Sequence, residues 1–351
     1  MSDGKDEAAQ LYRMARLIRR TEEAVAAEYH PADQMRCPIH LCVGQEAMPA
    51  ALSLLVRPDD HLVSHYRSHG YFLAKGGPLQ AMIAEFYGKA TGSNSGIAGS
   101  MELGSHEINF YSGAIVAGPI GIALGSAFAQ KYRKSSAISV AVMGDGAMDE
   151  GVVYESLNLA VIWKLPLLVI CENNGYAAYT RLTKRAANSD LHIRAQAFGV
   201  AAARVDGNDP GLLLSHLRPV VADMRAGKGP YFLEIETYRI SGHVGPEGDD
   251  EMAYRPAEEV ERWKKRDAVV SARKALLKAG ATEKEVAALD SEIEAAIAEA
   301  IRAAKAAPFP EPGWASKQVS SGSYSGVVTA FSKPGTGDFD AWQQETRLKG
   351  F

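Results

Sequence analysis

Residues 138–176 constrain this chain more than any other stretch. An apolar run beginning at Ile138 ends in Gly144-Asp145-Gly146; a helix-like segment follows, and a second apolar run ends in Glu172-Asn173-Asn174-Gly175. The pattern predicts strand, tight glycine turn, helix, strand, with an oxygen-bearing side chain closing each strand. Parallel strands joined by a crossover helix bring their carboxyl ends to one edge of a sheet. Asp145 and Asn174 therefore meet in space. A carboxylate and a carboxamide oxygen beside a helix N-terminus suit a magnesium ion carrying phosphate groups.

The rest of the chain fits the same class. Its 351 residues are 46% hydrophobic and 23% charged, enough for one large α/β domain or two ordinary ones. A formal net charge of −4 gives no basic field for nucleic acid. No apolar run is long enough to span a membrane, and the polar, acidic first residues lack a secretory signal, so the expected compartment is the cytoplasm. Cys37, Cys42 and Cys171 form neither a disulfide framework nor a zinc-ligand pattern.

Leu11, Met14, Ile18 and Val25 recur at helical spacing among Arg13, Arg16, Arg19 and Arg20, predicting an amphipathic entry helix with a solvated basic face. Residues 91–104 are rich in glycine and serine and should form a loop. Gly118, Gly121 and Gly125 do not have dinucleotide-binding spacing; Gly121, Gly125 and Ala129 instead share one face of a helix that another helix can approach closely. Further on, helices are expected over 191–198 and 210–226, with strands over 200–205 and 231–240, the last with alternating character. Residues 242–251 read as a mobile loop. Two C-terminal helices follow, the second opened by a capping box from Thr282 to Glu285 and carrying Val286, Leu289, Ile293, Ile297 and Ile301 on one side. A domain over 1–306 and an extended, proline- and glycine-rich tail over 307–351 complete the layout.

Gly-Asp-Gly, about 26 residues, then Asn-Asn is similar to the thiamine diphosphate motif. The surrounding words 154–160 (YESLNLA), 163–166 (WKLP) and 171–177 (CENNGYA) resemble the alpha subunit of 2-oxoacid dehydrogenase E1 enzymes, a family with acetoin-cleaving and branched-chain relatives. The resemblance covers roughly residues 10 to 305. It implies a thiamine diphosphate-binding fold: a doubly wound, mostly parallel α/β sheet with a helical C-terminal portion. It also implies Mg²⁺ held by Asp145, Asn174 and the backbone carbonyl of Tyr176, with the amides of Gly146 and Ala147 facing phosphate.

Three further words extend the match. Residues 66–70 (YRSHG) are similar to the family's Tyr-Arg-x-His-Gly, which makes Arg67 the expected diphosphate clamp with Tyr66 beside it. A competing zinc reading of His61, His65 and His69 requires a helix, whereas Pro58 before them and Gly70 after them favour a strand or turn. His40, in 39–47 (IHLCVGQEA), resembles the family histidine that points into the substrate pocket. His243, after Thr237-Tyr238-Arg239 and Gly242, matches the one reaching the cofactor's reactive end. Imidazoles can move a proton near neutral pH, so both are expected to be catalytic. Ala114 and Val116 match positions whose carbonyls hold the aminopyrimidine, in a stretch one residue shorter than the family's.

The chain also departs from the pattern. Residues 96–102 read GIAGSME where the family has Gly-Lys-Gly-Gly-Ser-Met-His; Glu102 would repel an anionic substrate if it faced the pocket. Moreover, the family's cofactor-activating glutamate belongs to a beta subunit. The resemblance thus implies an α2β2 heterotetramer that acts on a 2-oxo acid or acyloin and passes the acyl group to a lipoyl-bearing E2. Alternative readings are a thiamine-dependent carboligase or lyase without lipoyl transfer, and a non-catalytic alpha-like scaffold.

Overall fold

The computed structural model describes residues 2–29, 35, 37–246 and 254–314. The expected loop over 242–251 lies outside them from residue 247, and the expected tail from residue 315.

The described residues form nine strands: β1 (His61–His65), β2 (Gly104–Ser105), β3 (Phe110–Gly113), β4 (Ser139–Gly144), β5 (Leu167–Asn173), β6 (Tyr176–Ala177), β7 (Thr180–Arg181), β8 (Ala201–Asp206) and β9 (Tyr231–Glu236). Seven form one sheet in the order β2-β3-β1-β4-β5-β9-β8. Every pairing in it is parallel except β2 with β3. From β1 the chain builds outward to β3, then returns to place β4 on the other side of β1. That reversal opens a crevice at the carboxyl ends of β1 and β4, where doubly wound sheets bind their ligands.

The helices are α1 (Ser2–Tyr29), α2 (Ala47–Leu52), α3 (His69–Ala74), α4 (Leu79–Phe86), α5 (Gly118–Tyr132), α6 (Gly151–Ile162), α7 (Leu182–Arg185), α8 (Leu191–Gln196), α9 (Pro210–Arg225), α10 (Ala257–Lys264), α11 (Ala268–Lys278) and α12 (Glu283–Ala306). Strand alternation decides which of them each face meets. Val140, Val142, Leu168, Ile170, Leu233 and Ile235 share a core with α1, α4 and α9. Their sequence neighbours Ala141, Met143, Val169, Cys171 and Phe232 pack against α5, α6 and α8 on the opposite face. Covered on both faces, β5 is buried throughout. So is most of β9, which corrects the expected alternation; β9 also stops at Glu236, after which Ile240 N–H bonds Val43 O at 2.8 Å.

Two other expectations change. Among the described residues after 254 there are three helices, not two, because Asp267 caps a new start by accepting from Val269 N and Val270 N. The capping box of α12 forms as expected. The basic face of α1 is not merely solvated: Lys5, Arg13, Arg16 and Arg20 pair with Glu285, Glu292, Asp290 and Glu294 of α12. Its acidic partner is the other end of the same chain. On α5, Val152 of α6 lies near Gly121, whereas Gly125 faces open space. No helix among the described residues is long and apolar enough to cross a membrane.

Candidate active site

The carboxyl ends of β3, β1, β4, β5 and β9 feed one cavity of about 430 Å³, within the range of small-molecule and cofactor sites. All eleven residues expected to form the site line it: His40, Tyr66, Arg67, Ala114, Val116, Asp145, Gly146, Ala147, Asn174, Tyr176 and His243. Period-2 strands place them there. The register pairs Gly144 with Glu172, so the turn after β4 and the turn after β5 stand side by side.

Asp145 begins a 3₁₀ turn (Asp145–Asp149) that precedes α6, where a single helix was expected to follow the glycine turn directly. Its side chain is buried, and burial pushes the carboxyl up to about 6 against the pull of the Arg185 guanidinium. Oδ2 accepts from Arg185 Nη2, while Oδ1 is buried with no hydrogen-bond partner among the described residues. Asn174 Oδ1 accepts from Tyr176 N at 3.1 Å, which leaves its second lone pair open. The Tyr176 hydroxyl donates to Glu259 at 2.8 Å, so the main chain of Tyr176 is what remains for a ligand. Gly146 keeps this turn tight: a Cβ there would come within 2.9 Å of the Ala177 Cβ.

Arg67 is buried at the end of β1, and burial pulls its pKa below the ordinary arginine value. Its Nη1 donates to Leu41 O at 2.6 Å and its Nη2 to His243 O at 3.1 Å. Among the described residues no carboxylate forms an ion pair with it. The cavity thus holds a buried cation whose hydrogen bonds, among the described residues, go to carbonyls and not to a carboxylate, together with a buried carboxylate oxygen that lacks a donor there. An anionic group brought in with a divalent cation answers both needs. The donor set fits a metal-bound diphosphate.

The two expected catalytic histidines come together with aromatic neighbours. His40 packs against Tyr66, with ring centroids 4.5 Å apart, and against His243 at 5.2 Å. Burial, reinforced by Arg67 and the neighbouring imidazoles, lowers His40 to about 3, so its ring is neutral at physiological pH. Its Nδ1 is buried without a hydrogen-bond partner among the described residues.

Sequence reasoning missed four polar residues of the wall: Gln45, His65, Glu172 and Arg239. Glu172 receives Tyr71 Oη at 2.6 Å on Oε1, and both Gln45 Nε2 and His65 Nε2 at 2.9 Å on Oε2. Because Arg67 N donates to His65 Nδ1 at 3.0 Å, the His65 proton sits on Nε2 and points at Glu172. The available signal was a carboxylate closing an otherwise apolar strand, which is expensive to bury unless it organises neighbours. His61 and His65 lie on a strand, and His69, on α3, bonds Glu22 and Ser100. The three imidazoles therefore do not share a helix face.

Glu102 does not line the cavity. Its carboxylate accepts from Ala114 N at 3.0 Å, and the side of the loop carrying it borders a separate hollow.

Residues 13–313 match the dehydrogenase E1 component family. The chain belongs to that family. It is 36% identical over 310 residues to the pyruvate dehydrogenase E1 component subunit alpha of Rhizobium meliloti (strain 1021), covering 88% of each chain. It is 37% identical over 309 residues to the subunit of that name from Zymomonas mobilis, covering 87% of this chain and 86% of the relative. With the Rickettsia felis subunit it shares 32% over 311 residues, covering 88% and 94%. The resemblance drawn from the motifs is borne out, as are the fold class and the assignment to the E1 enzymes of 2-oxoacid dehydrogenase complexes. The family implies thiamine diphosphate as cofactor.

Proposed function

We propose that this chain is the alpha subunit of an α2β2 E1 enzyme that decarboxylates a 2-oxo acid and delivers the acyl group to a lipoyl-bearing E2 in the cytoplasm. Pyruvate is the first substrate to test, given the names of its relatives. Bound thiamine diphosphate supplies the electron sink for decarboxylation. Asp145 Oδ1, Asn174 Oδ1 and the Tyr176 carbonyl are assigned to Mg²⁺, with Arg67, Tyr66 and the amides of Gly146 and Ala147 assigned to the diphosphate. Ala114 and Val116 hold the aminopyrimidine through their carbonyls. His243 and His40 handle protons at the reacting end, and the neutral His40 ring can accept or donate at neutral pH.

The observation that carries this reading is the pairing of needs in one cavity: among the described residues, a buried Asp145 oxygen with no donor and a buried Arg67 whose hydrogen bonds go to carbonyls. A scaffold has no use for either. The altered word at 96–102 is what prompts the carboligase reading, and its one acidic residue, Glu102, bonds the Ala114 amide.

The test is co-expression with the beta subunit, followed by a screen of 2-oxo acids and acyloins with an artificial electron acceptor, and calorimetry of thiamine diphosphate with and without Mg²⁺. Turnover of a 2-oxo acid and metal-dependent binding are expected. Absence of Mg²⁺-dependent binding in the αβ complex would refute the enzyme reading; turnover of acyloins alone would refute the 2-oxo acid assignment.

A further inference from the structure

Arg185 sits where no motif placed a functional residue. It ends α7, the single helical turn that follows the β6–β7 hairpin, and this hairpin follows directly on Asn174. One continuous segment therefore carries Asn174, Tyr176 and Arg185. The guanidinium reaches back to the turn after β4 and grips it at three points. Nη2 donates to Asp145 Oδ2, and Nη1 donates to Asp145 O at 3.2 Å and to Asp149 Oδ2. Arg194 Nη1 stands 3.6 Å from the other oxygen of Asp149.

A carboxylate has two equivalent oxygens, and a terminal carboxylate torsion is broad. Something must decide which oxygen a ligand meets. Here Oδ2 is tied to Arg185, and Oδ1 is left buried with no donor among the described residues. The same contact locks the segment bearing Asn174 against the turn bearing Asp145, and sets a positive charge between two carboxylates that would otherwise repel. Building on the cation site assigned under Proposed function, we propose that Arg185 is its positioning residue: it fixes the Asp145 carboxylate so that Oδ1 is presented to the metal, and fixes the spacing between Asp145 and Asn174. Arg185 touches no reacting atom in this scheme. Partners of this kind, one bond removed from a metal, typically contribute about 10- to 100-fold in metal affinity.

The test uses the full chain purified with its beta subunit and saturated with thiamine diphosphate. Mn²⁺ is titrated as the probe and followed by the electron paramagnetic resonance signal of the free ion. Wild type should bind Mn²⁺ at the site. Arg185→Met is expected to weaken binding about 10-fold or more, to melt below wild type without metal because the buried Asp145 loses its charged partner, and to recover its turnover at high metal concentration. Arg185→Lys, a single point charge without a fork, should fall between them. Asp149→Asn keeps Arg185 on Asp145 but removes its second anchor; about a threefold loss is expected, a fraction of the usual outer-partner effect. If Arg185→Met does not fold, the Lys and Asn variants carry the test. Wild-type binding with unchanged affinity in the variants would overturn the role of Arg185 and leave the cofactor assignment standing. Failure of the wild type itself to bind Mn²⁺ would overturn both.

Discussion

His40 and His243 meet edge to face with ring centroids 5.2 Å apart, one delivered by the segment before α2 and the other by the segment after β9. The same environment that brings them together keeps His40 uncharged, lowering it from 6.5 to about 3, with burial the largest cause and Arg67 the next. This fixes a sign. Between about pH 6.5 and 3 the unfolded chain takes up a proton at this position and the folded chain does not. Stability therefore falls as pH drops through that window, by up to about 1.4 kcal/mol per pH unit for one proton. His40→Gln should flatten the pH dependence of the urea midpoint by about that slope, and lower kcat by about 10²-fold or more if the ring moves protons. An unchanged slope would show that His40 is not held neutral.

Asp145 predicts the opposite behaviour for the ligand-free chain. Burial raises its carboxyl to about 6, so the protonated form favours the fold and that contribution is lost as pH rises through 6. At pH 8 the ionised group costs on the order of 1–3 kcal/mol. Asp145→Asn should therefore melt at or above the wild-type temperature at pH 8 without ligand, with the difference vanishing below about pH 4. Arg185 keeps Asp149 as a partner in that variant. Adding thiamine diphosphate and Mg²⁺ should raise the melting temperature of the wild-type αβ complex and leave that of the variant unmoved. A variant that melts well below wild type at pH 8 without ligand would show Asp145 to be structural.

These two residues also mark what was legible in the sequence. Asp145 and Asn174 could be placed together because strand periodicity and the parallel crossover rule are local signals with one three-dimensional solution. The eleven expected residues share a cavity for the same reason: most of them sit one to three residues past a strand end. Arg185 and Glu172 were not legible. Their partners are set by tertiary contact, Arg185 with a turn on another strand and Glu172 with Gln45, His65 and Tyr71 from three separate segments. Nor could the basic face of α1 be matched to α12, because nothing local says which distant helix lies alongside.

The arginines of α1 separate buried from exposed pairing. Arg19 is 11% exposed and bonds Glu46, which is fully buried, at 2.5 Å and Asp267 at 2.6 Å. Arg13 is half exposed, as is its partner Glu292. Removing Arg19 strands the Glu46 charge in the core, so Arg19→Met should cost about 3–5 kcal/mol. Arg13→Ala should cost less than about 1 kcal/mol. Urea denaturation of the two variants checks the contrast; equal losses would mean that the α1–α12 surface pairs matter as much as the buried one.

The altered word at 96–102 is held by two carboxylates, and this decides what Glu102 does. Glu85, buried on α4, accepts from Asn94 N and Gly96 N at 2.8 and 2.9 Å through Oε2, and from Ala98 N and Gly99 N at 2.8 and 3.0 Å through Oε1. Glu102 then closes the loop by accepting from Ala114 N, two residues before Val116. Its charge is thus directed at the backbone amide of a lining residue, while Glu102 itself does not line the cavity. Glu102→Gln keeps an acceptor for that amide, and the KM for an anionic 2-oxo acid should stay within about twofold, since the side chain does not line the cavity and the amide keeps a neutral hydrogen bond. Glu102→Ala removes the acceptor and frees the segment holding Ala114 and Val116, so cofactor affinity should drop about three- to tenfold while KM changes less. Steady-state kinetics and calorimetry on the αβ complex separate the two effects. A large fall in KM on Glu102→Gln would mean that the carboxylate repels substrate after all, and would return the carboligase reading to contention.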